Sequence, residues 1–420
     1  MSILKFGFPI NKAVGGKICL PASKSESNRA LMIQAYSSGL VRLHNLSEAR
    51  DTQILEQLLQ TDPAEYDALD AGTSFRFLTS FLAFLGKEKL LTGTARMQQR
   101  PIGILVEKLN EIGANVSYVN EEGFPPLKFR KGDFSRQKNE IEIEASQSSQ
   151  FISSLMLLGP NLPNGLEILL KGEKLASLPY LTMTWQLMKR AGIKGSFEGR
   201  KISIPAQKYV SCELNIESDW SAVGYWLNLL VFSKAPGELE FNNLFADSLQ
   251  GDARLISIFE NLGLVFEVSG NGFLVRNTPG FTFPSLLEID FSDIPDQGQT
   301  LMVTCAGLGI EARFSGLESL VIKETNRLKA MQSELGKFGI SMDINELEGK
   351  CHMAGSQVLK LPTQRIETYE DHRMAMSIAP LAILFSGKLE IENPGVVAKS
   401  FPGYWDELAK LGFDLDWEER

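Results

Sequence analysis

The sequence predicts an α/β protein of two domains, an inside-out α/β barrel in which six repeats, three to a domain, keep one wholly apolar helix innermost and their strands outside. Three observations predict it. The chain has 420 residues, 44% of them hydrophobic, whereas a single core stops growing at roughly 250 to 300 residues, so two cores are expected. A helix made almost wholly of apolar and small residues, opened by a polar cluster and closed by Gly or Ser, recurs at 25–39, 72–86, 148–159, 219–233, 296–309 and 372–387. After a shorter first step its openings are nearly evenly spaced, which marks an internal repeat. An amphipathic helix that closes on Gly113, Gly192, Gly263, Gly339 or Gly412 recurs in the same rhythm.

Each element follows from its residue types. A helix apolar on all faces belongs in an interior, and a glycine past the last turn supplies the left-handed residue that a helix C-terminus needs. Short strands follow the capping glycines, as in 114–118, 193–197 and 264–268. Six such units account for the whole chain, each with one buried helix, one amphipathic helix and about four strands. The first unit is degenerate, with no capping glycine near Leu59.

Composition narrows the function. Among 42 basic and 51 acidic residues the net charge is -9, which argues against a nucleic-acid partner, whose footprint is a basic excess. No apolar run reaches the roughly 18 residues of a membrane span, and the N-terminus lacks the basic segment and apolar core of a signal peptide, so a soluble, unprocessed chain is expected. Cys19, Cys212, Cys305 and Cys351 are far apart and lack partners at metal-binding spacing, which predicts reduced, mostly buried thiols. With only three histidines, a zinc or triad enzyme is disfavoured.

The chemistry-bearing residues fall where helices begin. Buried helices open on Lys24, Ser25 and Arg29; on Asp70, Gly72, Thr73 and Arg76; on Ser148, Ser149 and Gln150; on Asp296; and on Asp371, His372 and Arg373. Amphipathic helices open on Arg100, on Ser177 and Tyr180, on Asp252, on Lys323, Glu324 and Arg327, and on Lys399. A helix N-terminus presents unpaired N–H groups and the positive end of its dipole, which suits phosphate or carboxylate. Arg adds bidentate bonds to the same groups, so the pattern points to a multiply anionic ligand. Gly72 lets backbone approach a ligand closely. The serines and Thr73 can equally be N-caps, Asp296 a helix cap and Glu324 a dipole partner, but carboxylates amid cations can also be poised for proton transfer.

In this order the motifs Leu20-Pro21-Ala22-Ser23-Lys24-Ser25, Ala71-Gly72-Thr73, Ser148-Ser149-Gln150-Phe151, Ile294-Pro295-Asp296, Lys323-Glu324-Thr325-Asn326-Arg327-Leu328, Asp371-His372-Arg373-Met374-Ala375-Met376 and Lys399-Ser400-Phe401-Pro402 carry a resemblance. The sequence resembles the 5-enolpyruvylshikimate-3-phosphate synthase (3-phosphoshikimate 1-carboxyvinyltransferase) family over nearly its whole length. The resemblance implies two domains of three βαβαββ repeats that close on substrate, one contiguous over residues 22–216 and one joining 1–21 with 217–420. It implies that Lys24, Ser25, Arg29, Ser148, Ser149, Gln150, Ser177, Asp296 and Lys323 hold shikimate 3-phosphate, and that Lys24, Gly72, Arg100, Gln150, Arg327, Arg373 and Lys399 meet phosphoenolpyruvate. Arg76 and Tyr180 match positions close to the site. Asp296, Glu324 and Lys24 are the implied catalytic residues of an addition and elimination through a tetrahedral intermediate. No metal or organic cofactor is implied, and the expected enzyme is a cytoplasmic monomer whose partners are small-molecule substrates.

Three positions depart from the family pattern: Asp70 stands where Asn is usual, Thr94 where Asp is frequent, and Ser319 where some members have Asn. Two alternatives compete. A sister enzyme that transfers enolpyruvyl to UDP-N-acetylglucosamine normally carries a loop Cys, and none lies between Cys19 and Cys212. A non-catalytic anion-binding repeat protein would have no use for Asp296 and Glu324.

Overall fold

The apolar segments form helices over Lys24–Tyr36, Gly72–Leu85, Ser149–Leu158, Trp220–Phe232, Gly298–Leu308 and His372–Ile378. The structure is a computed structural model and describes residues 2–9, 12–135, 139–144, 148–172 and 178–418. The chain divides into two compact units, a contiguous one over Ala22–Ile216 and a split one joining Met1–Pro21 to Glu217–Arg420.

Burial of these helices follows from their composition. In Trp220–Phe232 every residue but Ser221 is buried. Within the contiguous unit, helices Lys24–Tyr36, Gly72–Leu85 and Ser149–Leu158 pack on one another; within the split unit, Gly298–Leu308 packs on both Trp220–Phe232 and His372–Ile378. Small residues permit the close approach: the Phe232 ring lies directly over Gly307. Polar side chains on these helices pair across them, since an unmatched buried polar group is costly. Thr304 Oγ1 donates to Asn228 Oδ1 at 2.6 Å, and Ser154 Oγ donates to Ser80 Oγ at 2.6 Å.

The last buried helix is shorter than the sequence predicts. It stops at Ile378 and continues as 3-10 turns over Ala379–Leu384. Pro380 is the cause, because it cannot donate to the carbonyl four residues back. That carbonyl, Met376 O, accepts from the Tyr404 hydroxyl instead, at 3.0 Å.

The amphipathic helices Gly103–Glu111, Leu178–Arg190, Leu255–Glu260, Arg327–Lys337 and Tyr404–Leu411 lead to Gly113, Gly192, Gly263, Gly339 and Gly412, whose φ angles of 83° to 104° are all left-handed. In the degenerate first unit, helix Arg50–Thr61 ends on Asp62, which takes the left-handed position at φ 43°. A residue with a short polar side chain tolerates that conformation. Lys87 and Lys89 pair with its carboxylate and hold its pKa well below the ordinary range.

Four of the six sheets have four strands in one topology. Glu65–Asp67 runs parallel to Lys89–Thr92, which pairs antiparallel with Leu127–Arg130, and that strand with Asn115–Tyr118. The other two sheets are incomplete, against the expectation of about four strands per unit. Cys212–Asn215 and Val41–His44 form a lone parallel pair, because helix Arg50–Thr61 passes straight into the next sheet and forms no hairpin. In the last unit the N-terminal strand Ile3–Gly7 sits between Leu389–Glu392 and Asp414–Glu418, antiparallel to both. Strand Gly15–Ile18 likewise pairs with Glu238–Asn242. These pairings tie the segment Met1–Pro21 to the split unit.

All four cysteines are free thiols; Cys305 and Cys351 are buried and Cys212 is half-buried, but Cys19 is exposed, against expectation. Cys19 follows strand Gly15–Ile18, three residues of which also face solvent.

Gly307→Ala should destabilise the split unit by about 1 to 3 kcal/mol, since the added methyl runs into the Phe232 ring in a close-packed interior. Chemical denaturation of wild type and variant measures this, and an unchanged midpoint would contradict the packing described.

Candidate active site

In the contiguous unit the helix starts are stitched together by the residues expected to act there. Ser23 caps helix Lys24–Tyr36, accepting from Glu26 N, which leaves Lys24 and Ser25 in the first turn. Lys24 Nζ lies 3.3 Å from Asp51 Oδ2. Arg29 is 2% exposed; its guanidinium donates to Thr184 Oγ1 at 2.7 Å, to the Ser25 carbonyl at 2.8 Å and to Ser153 Oγ at 3.4 Å. Phe77 and Tyr180 face it at 5.5 and 5.6 Å. Burial lowers its pKa to about 10, against the upward pull of Tyr180 and Glu26. Arg29 thus sits beneath the helix starts, with three of its bonds inside the protein.

Helix Gly72–Leu85 begins after Ala71, which makes no side-chain cap bond. Gly72 leaves room for a cation: a Cβ there would lie 2.5 Å from Arg100 Nη1 and displace the guanidinium. The missing side chain therefore lets the Arg100 guanidinium rest against the helix start. Arg76 is committed inward, donating to the carbonyls of Gly72 and Pro101 and to Met97 Sδ. Ser148 occupies the N-cap position of Ser149–Leu158 without a side-chain cap bond, so simple capping does not account for its hydroxyl. Ser149 is buried, and Gln150 Nε2 donates to Thr73 Oγ1 at 3.0 Å, joining two helix starts. Ser177 lies outside the described residues.

The split unit gathers a denser cluster. Asp296 lies in the 3-10 turn Pro295–Gln297 that leads into helix Gly298–Leu308. Three cations meet its carboxylate: Arg327 Nη1 at 3.1 Å, Arg373 Nη2 at 3.2 Å and Lys323 Nζ at 3.6 Å. Arg327 Nη2 also bonds Glu324 Oε2 at 2.8 Å, and its Nε bonds Asp371 Oδ2 at 2.7 Å. Burial alone would lower the Arg327 pKa, but Asp371, Glu324 and Asp296 raise it above its ordinary value. For Lys323 the balance is reversed: Asp296 pulls its pKa up, yet burial and the charges of Arg327 and Arg373 leave it lowered. Such an ammonium gives up a proton more readily than an ordinary lysine.

The neighbouring turn supplies the rest. Tyr369 and Glu370 both adopt left-handed φ angles, 53° and 55°, a strain typical of functional turns. It presents the Glu370 carbonyl to Lys399 Nζ at 2.9 Å. The next residue, Asp371, caps helix His372–Ile378 through Arg373 N at 2.8 Å while gripping Arg327. Arg373 donates onward to the Tyr225 hydroxyl at 3.3 Å and the Asp296 carbonyl at 3.2 Å.

With that geometry in view, the relatives are informative. The sequence profile of EPSP synthase (3-phosphoshikimate 1-carboxyvinyltransferase) matches residues 56–408. A 3-phosphoshikimate 1-carboxyvinyltransferase of Bacteroides fragilis is 43% identical over 399 residues, 95% of each chain. The chain belongs to the EPSP synthase family. An enzyme of the same name from Herminiimonas arsenicoxydans is 30% identical over 433 residues, again 95% of each chain. The solved EPSP synthase of Acinetobacter baumannii superposes with a TM-score of 0.78 over 100% of both chains at 20% identity, which establishes the shared fold. The protein is therefore a transferase with the two-domain inside-out barrel of EPSP synthases.

Sequence reasoning gave no role to three participants in the split unit, although it placed two of them, Asp371 and Asp252, at helix starts. Asp371 and Tyr225 serve as partners of Arg327 and Arg373. Asp252 is the third: its carboxylate accepts from the Ser221 hydroxyl and from Gln297 Nε2, the latter at 2.9 Å, beside Asp296. Burial, then the charge of Asp296, raises its pKa to about 6. Asp252 opens an amphipathic helix segment as Arg100 and Lys399 do, but only the fold buries its carboxylate against Ser221 and Gln297. Among the described residues, no three His, Cys, Asp or Glu side chains converge as metal ligands.

Because the native pKa of Asp252 lies above the ordinary 3.8, the folded state binds the proton more tightly than the unfolded state. Its contribution is thus present at low pH and lost as pH rises from about 4 through 6, a loss of up to roughly 3 kcal/mol. Asp252→Asn cannot ionise, so its stability relative to wild type should rise over that interval. Denaturation midpoints at pH 4.5 and 7.5 measure the difference; parallel profiles would show that burial does not raise the Asp252 pKa.

Proposed function

We propose that this chain transfers the enolpyruvyl group of phosphoenolpyruvate to the 5-hydroxyl of shikimate 3-phosphate, releasing inorganic phosphate, with Asp296 as the base. The observation that carries the assignment is the Asp296 carboxylate, met by Lys323, Arg327 and Arg373 at a buried-helix start. Anion binding explains the cations but not the acid. Three positive neighbours favour the ionised carboxylate, the form that can accept a proton.

In the contiguous unit, Lys24, Ser25, Arg29, Ser148, Ser149, Gln150 and Ser177 are assigned to shikimate 3-phosphate, and Lys24, Gly72, Arg100 and Gln150 to phosphoenolpyruvate. In the split unit, Asp296 and Lys323 are assigned to the first substrate and Arg327, Arg373 and Lys399 to the second. The uncapped first turns of Gly72–Leu85 and Ser149–Leu158 and the Arg100 guanidinium against Gly72 support the anion-binding part. Arg29 and Arg76 act chiefly from below, holding helix starts through their inward bonds.

The steps balance. Asp296 takes the proton of the 5-hydroxyl as its oxygen attacks C2 of phosphoenolpyruvate, and the methylene C3 gains a proton from Glu324, assisted by Lys24. The resulting tetrahedral adduct then loses phosphate from C2, which leaves with the proton held by Asp296, while a proton of the new methyl group returns to the Glu324 carboxylate, so that the enol ether product forms and both acids are restored. Cations already in place oppose the charge that develops, and such preplaced charge commonly lowers the barrier more than any other single effect. The reading extends to a cytoplasmic monomer acting on small molecules, without metal, organic cofactor, nucleic acid or membrane.

The purified protein should release phosphate when given both substrates. Absence of release, or release only with UDP-N-acetylglucosamine as acceptor, would overturn the reading. Asp296→Asn should lower kcat by about 100-fold or more while both KM values move only a few-fold; a variant with wild-type turnover would remove Asp296 as the base.

A further inference from the structure

Asp70 is an acid in a place built for anions. It precedes Gly72 by two residues, so the two Cα atoms lie no more than about 7 Å apart, and the turn that carries it is rigid. Ala71 N donates to Ala68 O at 3.0 Å, Leu69 is left-handed at φ 49°, and Thr94 N donates to the Leu69 carbonyl at 3.0 Å. The residues that follow it are the uncapped helix start and the resting place of Arg100. A lone carboxylate there would repel any anion drawn to that helix start.

The structure supplies a counter-charge. Arg50, first residue of helix Arg50–Thr61, pairs through Nη2 with Asp70 Oδ1. Its neighbour Asp51 pairs with Lys24, and the Asp51 carbonyl accepts from Ser74 Oγ at 3.0 Å, which anchors the start of helix Arg50–Thr61 to helix Gly72–Leu85. Arg50 is thereby presented to Asp70 by fixed backbone on both sides. The pair has little to contribute to stability, since the two side chains are 44% and 23% exposed and exposed ion pairs are weak. Its effect lies in the local field.

We infer that Arg50 is a positioning residue for phosphoenolpyruvate affinity: by engaging Asp70 it cancels and turns aside a negative charge that would otherwise oppose the anion at the Gly72 helix start. The inference rests on the assignment of phosphoenolpyruvate to Gly72 and Arg100. It makes Arg50 and Asp70 a matched unit in which either change alone alters the field and both together restore it.

The test is steady-state kinetics of Arg50→Gln, Asp70→Asn and the double variant, with each substrate varied in turn and thermal midpoints recorded. Arg50→Gln should raise KM for phosphoenolpyruvate roughly three- to fiftyfold, the span for one uncompensated charge taken at about 7 Å from the anion with effective dielectrics from about 80 down to about 20. Its kcat and thermal midpoint should stay near wild type, and added salt should shrink the defect. Asp70→Asn should leave that KM equal or lower, and the double variant should return it to near wild type. An unchanged KM in Arg50→Gln, a defect not rescued by Asp70→Asn, or a defect that follows a lowered thermal midpoint would overturn the inference. Wild-type turnover is measured in the same series, so failure of the functional assignment shows as an inactive wild type and failure of this inference as an active but indifferent Arg50→Gln.

Discussion

A guanidinium taken out of water must be met by carboxylates in good geometry, and breaking such a match costs several kcal/mol. Arg327, 2% exposed, is met by three: Asp296 at the start of one buried helix, Asp371 at the start of another, and Glu324 from its own approach turn. The match forms only if both helices present their N-termini at the same end of the split unit. The clustered carboxylates, the cations around them and the orientation of two core helices are thus parts of one electrostatic solution.

That solution follows from the burial of whole helices. A helix with no solvent-facing side can carry charge only near its ends, so its charged residues collect toward its start, where N–H groups also lack partners. The contiguous unit obeys the same rule with different chemistry. It has hydroxyls and amides at its helix starts, with Arg29 beneath and Arg100 against Gly72. Its acids close to that surface are paired off, Asp51 with Lys24 and Asp70 with Arg50. Acids in one unit are set among several cations; in the other each is paired with one.

Much of this was legible in the sequence because it depends on local periodicity. Five of the six apolar helices keep nearly their expected bounds, and all five capping glycines are left-handed, since apolar patterning and the left-handed requirement are properties of short segments. The motifs around Lys24, Asp296, Lys323 and Arg373 likewise marked the helix starts. Less visible was anything set by pairing over distance. The break at Pro380 went unread, and the Tyr404 hydroxyl that makes it tolerable lies 28 residues beyond the Met376 carbonyl it bonds. Asp62 in place of a glycine gave no local warning.

The sequence by itself determined the repeat, the buried helices and the identity of the residues at their starts, because those follow from composition within a turn or two of helix. Only the tertiary structure decided which charges meet. The N-terminal strand completes a sheet whose other members lie beyond residue 388. Asp371 and Asp252 became partners of the charged cluster through contacts 44 and 45 residues apart in the chain, and Arg50 found Asp70 20 residues on, beyond a helix and a strand. Such matches obey distance and desolvation in three dimensions, and no periodicity along the chain encodes them.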